Sequence, residues 1–181
     1  MKINFSSPST LWLCFLSFVG FFLVQVEVLT NFFILKGNFL ENSNTWFLSC
    51  AGYIFGHASF SHFFGNVSIL LLLGPILEER FGSKTVLLYS LLTATITALI
   101  HCFFSSYDLL GLSGIVFMFI ILSASKQTQQ RGIPLTFILV VVIYIGKELI
   151  SIPMNDQISH LAHLSGGIIG LLLSWRYNRT T

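Results

Sequence analysis

Long apolar stretches alternate with short polar breaks along most of this chain. A membrane-crossing helix needs about 20 mostly apolar residues. Six stretches qualify or come near, at about 11–35, 63–77, 85–104, 112–125, 133–150 and 159–175. The fourth is short for a full span. The breaks are too short to hold a soluble domain, and no linker or internal repeat is evident. The pattern predicts an all-α polytopic membrane protein, a single domain over residues 1–181 with six transmembrane helices. The first run is longer than the roughly 7–15 residues of a signal-peptide core, and no small-residue cleavage site follows it, so it is expected to remain as an anchor.

Composition supports lipid as the solvent. The chain is 54% hydrophobic and only 9% charged, with mean hydropathy +0.83. A soluble domain usually carries about a quarter charged residues. The net charge of +2 and the lack of a basic run argue against nucleic acid as a partner. Cys14, Cys50 and Cys102 are widely spaced and form neither a disulfide framework nor a metal signature. With the N-terminus inside, Lys2, Arg80, Lys84, Lys126, Arg131, Arg176 and Arg179 fall on the cytoplasmic side, against Lys36 and Lys147 outside. That asymmetry favours two cytoplasmic termini and an even number of spans. The longest loop, 36–61, then lies outside. Its rings at Trp46, Phe47, Tyr53, Phe55 and Phe60 suit a segment lying at the membrane interface.

Polar residues within spans are costly and mark function by default. Ser113 lies 13 residues before Lys126, His163 lies 13 before Arg176, and Asn66 lies 12 before Glu78. At about 1.5 Å per residue, all three sit roughly 18–20 Å above the inner charged ring. Three helices are thus expected to place serine, histidine and asparagine at one depth, about 10 Å below the outer surface of a core about 30 Å thick.

The local motifs sharpen this. In "GLSG" the serine opens a helix, where amide N–H groups lack intrahelical partners and the dipole is positive. Such a setting stabilises an oxyanion, and Gly111 and Gly114 leave the backbone open. An N-cap serine between packing glycines accounts for "GLSG" equally well. In "SHLAHLSGGIIG", Gly166 and Gly170 form a face for close helix packing, and His163 lies near that face. A neutral imidazole there can take the serine proton and return it to a leaving amine. A histidine hydrogen-bonded inside the bundle is the plainer alternative. Asp108 and Asp156 fall in outer loops, which favours a Ser–His dyad over a triad. In "FGHASFSHFFGN", His62 and Asn66 share one helical face, and both can donate to an oxyanion. His57 is off that face and reads as a loop-bracing residue.

H-A-S-x-x-H-x-x-G-N, then "LEERFGS", "GLSG" and "AHLSGGIIG", in this order and spacing, resemble the rhomboid intramembrane serine proteases over about 55–173. The resemblance implies a minimal six-helix rhomboid-like bundle. It implies Ser113 as nucleophile, His163 as general base, and His62, Asn66 and the Ser113 backbone N–H as oxyanion hole. Gly111, Gly114, Phe117, Gly166, Gly170 and His57 support them. It also implies an endopeptidase without cofactor or metal, acting on transmembrane or juxtamembrane segments of membrane proteins, in a bacterial inner (plasma) membrane. Some positions depart from the family. Trp46 is followed by Phe47 rather than arginine, and Phe117 stands where tyrosine is frequent, so its ring can stack on histidine without a hydroxyl. His160, Gln25 and Glu27 receive no role. Glu78 and Arg80 are expected to brace the inner ends of the second and third spans, and Lys147 and Glu148 to anchor the fifth at the interface.

Two other function classes fit parts of this pattern. A metal-dependent membrane protein could use His57, His62, His101, His160 and His163, but no H-E-x-x-H is present and no carboxylate falls near them in the spans. A non-catalytic rhomboid-like binder would typically lack the serine or the histidine, and both are present.

Overall fold

The computed structural model describes residues 6–37, 46–125, 133, 135–151 and 159–180. Lys2, Lys126, Arg131 and Asp156, and the side chains of Lys147, Glu148 and Arg179, lie outside the described residues. The described residues form helices and one isolated bridge. The helices are α1 (Pro8–Gln25), α2 (Thr30–Phe33), α3 (Trp46–Gly52), α4 (Phe60–Phe81), α5 (Ser83–Phe104), α6 (Ser113–Ala124), α7 (Leu135–Ser151) and α8 (His160–Thr180), with a 3-10 turn at Tyr53–Phe55. By length and composition, α1, α4 and α5 can each cross a membrane. Their outward faces are apolar, with Phe18, Leu72 and Leu88 each more than half exposed.

The short helix α6 is the core. Ile115, Val116, Met118, Phe119, Ile121 and Leu122 are all buried, and α8 packs along it most extensively. A helix of 12 residues spans about 18 Å. Set in a core about 30 Å thick, it cannot reach both surfaces.

Two boundaries differ from the hydrophobic pattern. The first apolar run was expected to be helical to residue 35, but α1 ends at Gln25. Glu27 and Leu29 take left-handed backbone, with φ of 58° and 55°. The chain then re-enters as α2 and pairs Leu35 with Leu109 in an antiparallel bridge. The second stretch is expected to end at 77, but α4 runs through the charged Glu78-Glu79-Arg80 to Phe81. The carboxylate of Glu78 is buried and caps the start of α1, accepting from Ser9 N–H (3.2 Å), Thr10 N–H (2.7 Å) and Thr10 Oγ1 (2.6 Å). It thereby satisfies donors that every helix start leaves open. Its brace joins α4 to α1, while Ser9 Oγ donates to the Ser83 carbonyl at the start of α5. Arg80 instead reaches the Leu122 carbonyl of α6 at 3.4 Å.

The described residues 46–59 before α4 are packed against the helices. Trp46 donates its indole N–H to Cys102 Sγ at 3.1 Å, and Tyr53 donates its hydroxyl to the Ala94 carbonyl at 2.9 Å. Phe47 and Phe60 remain exposed. Lys36 and Asp108 form an exposed ion pair of 2.7 Å beside the Leu35–Leu109 bridge.

Candidate active site

Ser113 is the first residue of α6, and the cap position belongs to Leu112. Leucine has no side-chain acceptor, so the hydroxyl of Ser113 is not the cap of this helix. The helical ladder begins with Val116 N–H to the Leu112 carbonyl at 2.9 Å. The amides of Ser113, Gly114 and Ile115 therefore have no carbonyl within the helix, which makes this end an anion-stabilising one. Ser113 is 8% exposed. The approach to it is fixed from outside α6, because Gly111 N–H bonds the Tyr53 carbonyl at 2.9 Å.

Gly111 has φ of +116°, a backbone state that L side chains rarely adopt. A Cβ there would lie 2.7 Å from His62 Cε1, 2.9 Å from His62 Nε2 and 3.7 Å from Asn66 Nδ2. The imidazole and the amide on α4 thus press against the bare Cα of the glycine two residues before Ser113. Asn66 is buried, and its Nδ2 has no partner among the described residues. A buried donor left open is unusual in a folded protein.

The third element is α8. A methyl group on Gly166 would fall on the Gly114 carbonyl, and one on Gly170 would lie 3.0 Å from Met118 O. These glycines let α8 and α6 cross at backbone contact beside Ser113. His163, one turn before Gly167, lies parallel to the Phe117 ring, with centroids 4.4 Å apart and planes 10° apart. Phe117 in turn meets Tyr144 of α7 edge-on at 5.7 Å. Tyr144 carried no signal in the sequence, since one more aromatic in an apolar helix resembles any other packing residue. Thr97 and Ser165 hydroxyls, 2.9 Å apart, tie α5 to the same part of α8.

His57 is fully buried in the loop before α4. Its Nδ1 donates to the Phe55 carbonyl at 3.2 Å, and its own carbonyl accepts from Gln25 Nε2 at 3.4 Å. Burial, with His62 beside it, pushes its pKa down to about 4, against the partial offset of the Phe55 hydrogen bond. The imidazole is therefore neutral at ordinary pH, and its ring edge supports His62 at 5.0 Å. Glu27 is exposed in the turn after α1, and His160 is buried at the start of α8. Among the described residues, no group of three or more His, Cys, Asp or Glu could hold a metal ion.

The sequence model described as "Rhomboid domain" matches residues 43–180, more than half of the chain. The chain belongs to the rhomboid family. Its all-helical fold and apolar helices are those of an integral membrane protein of that family. It is 26% identical over 119 residues to "Rhomboid protease GlpG" of Haemophilus influenzae, covering 64% of this chain and 62% of that protein. It is 30% identical over 125 residues to proteins of the same name from Yersinia pestis and Yersinia pseudotuberculosis, covering 67% of this chain and 45% of theirs. The rhomboid chain thus spans less than two thirds of the length of these relatives.

Proposed function

We propose that this rhomboid chain is an intramembrane serine endopeptidase, with Ser113 as nucleophile and His163 as general base. The observation that carries the reading is the meeting of three elements at Gly111–Gly114. These are the open N-terminus of α6, the α8 face bearing His163, and the α4 face bearing His62 and Asn66. The relatives named as rhomboid proteases supply the reaction class.

The chemistry follows from the parts. Ser113 Oγ attacks the scissile carbonyl of a locally extended segment, and His163 takes its proton. Charge developing on the carbonyl oxygen falls to the His62 ring N–H, the Asn66 amide and the Ser113 backbone N–H. The tetrahedral intermediate collapses as His163 returns the proton to the leaving amine. Water then hydrolyses the acyl-enzyme by the reverse roles. The bare Cα of Gly111 lets the His62 ring and the Asn66 amide come close to the turn that leads into Ser113.

The substrate is the transmembrane or juxtamembrane segment of another membrane protein. Because a helix hides its carbonyls in its own hydrogen bonds, helix-destabilising residues near the cut favour cleavage. The six-span arrangement, cytoplasmic termini and a bacterial inner membrane belong to the same proposal. Short α6 then opens the site toward the outer face, where water can enter. The test is cleavage of a model transmembrane substrate in vesicles. Wild type yields a product, and Ser113→Ala and His163→Ala each lose it. Persistent cleavage by Ser113→Ala overturns the proposal.

A further inference from the structure

The stack on His163 is held from a helix that carries none of the proposed chemistry. Phe117 covers one face of the imidazole, and the edge-on contact from Tyr144 comes from α7. That helix packs on α6 and α8, yet none of its described side chains is buried. Two consecutive residues make contact at the level of His163. Ile145 lies against Gly167 of α8, in contact so close that a methyl on Gly167 would meet it, and Tyr144 lies against Phe117. Tyr144 is 36% exposed, so its ring is only partly covered.

A ring stacked on a single partner can slide or swing within its plane. A second, perpendicular ring removes that freedom, because edge-to-face contact favours one placement. The general base must stay within hydrogen-bond reach of the hydroxyl that it deprotonates. Displacement of about 1 Å can cost on the order of 100-fold in rate.

We infer that Tyr144 is a positioning residue: its perpendicular contact fixes Phe117, Phe117 fixes the face of His163, and the imidazole keeps its register while α7 is docked on α6 and α8. This rests on the proposed Ser113–His163 protease reading. The contact needs only the aromatic ring of Tyr144, so the hydroxyl is dispensable. It also makes turnover depend on a helix that is weakly enclosed.

The test compares wild type, Tyr144→Leu, Tyr144→Phe, Phe117→Leu and the Phe117→Leu/Tyr144→Leu double variant, all as full chains in detergent. Three quantities are read: kcat and KM on a model transmembrane substrate, the rate of fluorophosphonate labelling, and the rate of diethylpyrocarbonate modification mapped to His163. Tyr144→Leu is expected to lower kcat and the labelling rate about threefold to tenfold, with KM within about twofold. It is expected to speed His163 modification. Tyr144→Phe should match wild type, and Tyr144→Leu should add nothing once Phe117 is already leucine. A change confined to KM, a Tyr144→Phe defect equal to that of Tyr144→Leu, or additive effects in the double variant would each overturn the inference. His163 modification does not require protease activity. If wild type neither cleaves nor labels, the protease reading fails, while the modification rates still decide whether Tyr144 restrains His163.

Discussion

Replacing Gly111 with alanine isolates the contact between the "GLSG" turn and the α4 side chains. The added methyl would stand 2.7 Å from the His62 ring, whereas ordinary contact begins at 3.4 Å, so the ring or the turn must move by about 0.7 Å. The ring does not move freely, because it packs on His57 at 5.0 Å and His57 is itself fully buried. Moving the turn breaks the Gly111 to Tyr53 hydrogen bond and drags the start of α6. A misplacement of this size at a reacting centre costs on the order of 10- to 100-fold in kcat. Loss of one oxyanion donor altogether costs about 10²–10³. The φ of +116° adds backbone strain on the order of 1–3 kcal/mol, which lowers the unfolding temperature in detergent. The assay is steady-state cleavage of a transmembrane substrate beside thermal unfolding, in wild-type and His62→Ala backgrounds. Gly111→Ala should cost far less activity once His62 is already alanine, because the displaced group is gone. Activity within threefold of wild type, or an undiminished penalty in the His62→Ala background, would refute the reasoning.

Three further outcomes are expected. Glu78→Ala leaves the Ser9 and Thr10 donors buried without an acceptor and should lower stability by about 3 kcal/mol or more, read as the unfolding temperature, with the surviving folded fraction still active. Gly166→Val places a side chain on the Gly114 carbonyl, so α8 must move off α6; cleavage should fall below detection even where the protein still folds and inserts, as judged by circular dichroism and size exclusion. His57 has its pKa lowered from 6.5 to about 4 in the folded chain, so its contribution is complete above pH 6.5 and is lost as pH falls toward 4. That contribution is on the order of 3 kcal/mol, and the stability difference between wild type and His57→Gln should shrink across this window and stay flat above it.

Much of the site could be read from short-range patterns, for physical reasons. His62 and Asn66 are four apart, Gly166 and Gly170 are four apart, and helical geometry turns such spacings directly into faces. The "GLSG" stretch carried its ambiguity openly, and the position of Leu112 as the cap separates Ser113 from the capping reading. What escaped was long-range. Nothing near residue 78 tells that its carboxylate caps a helix 68 residues earlier, so the apolar pattern ends the second stretch at 77 although α4 continues through the charged triplet. The run after Gln25 stays apolar past the left-handed residues, so hydropathy alone carries the first helix too far. The Tyr53–Gly111 hydrogen bond and the Tyr144–Phe117 contact likewise join distant segments with no periodicity of their own.

The central claim is that Ser113 is a nucleophile activated by His163. Its most direct test is the mass of the peptide carrying Ser113 after the intact protein reacts with a fluorophosphonate. The account predicts one phosphonyl adduct on Ser113 in wild type, strongly reduced in His163→Ala, with loss of substrate cleavage in step with labelling. An adduct on another residue, or full cleavage by protein whose Ser113 is wholly modified, would contradict it.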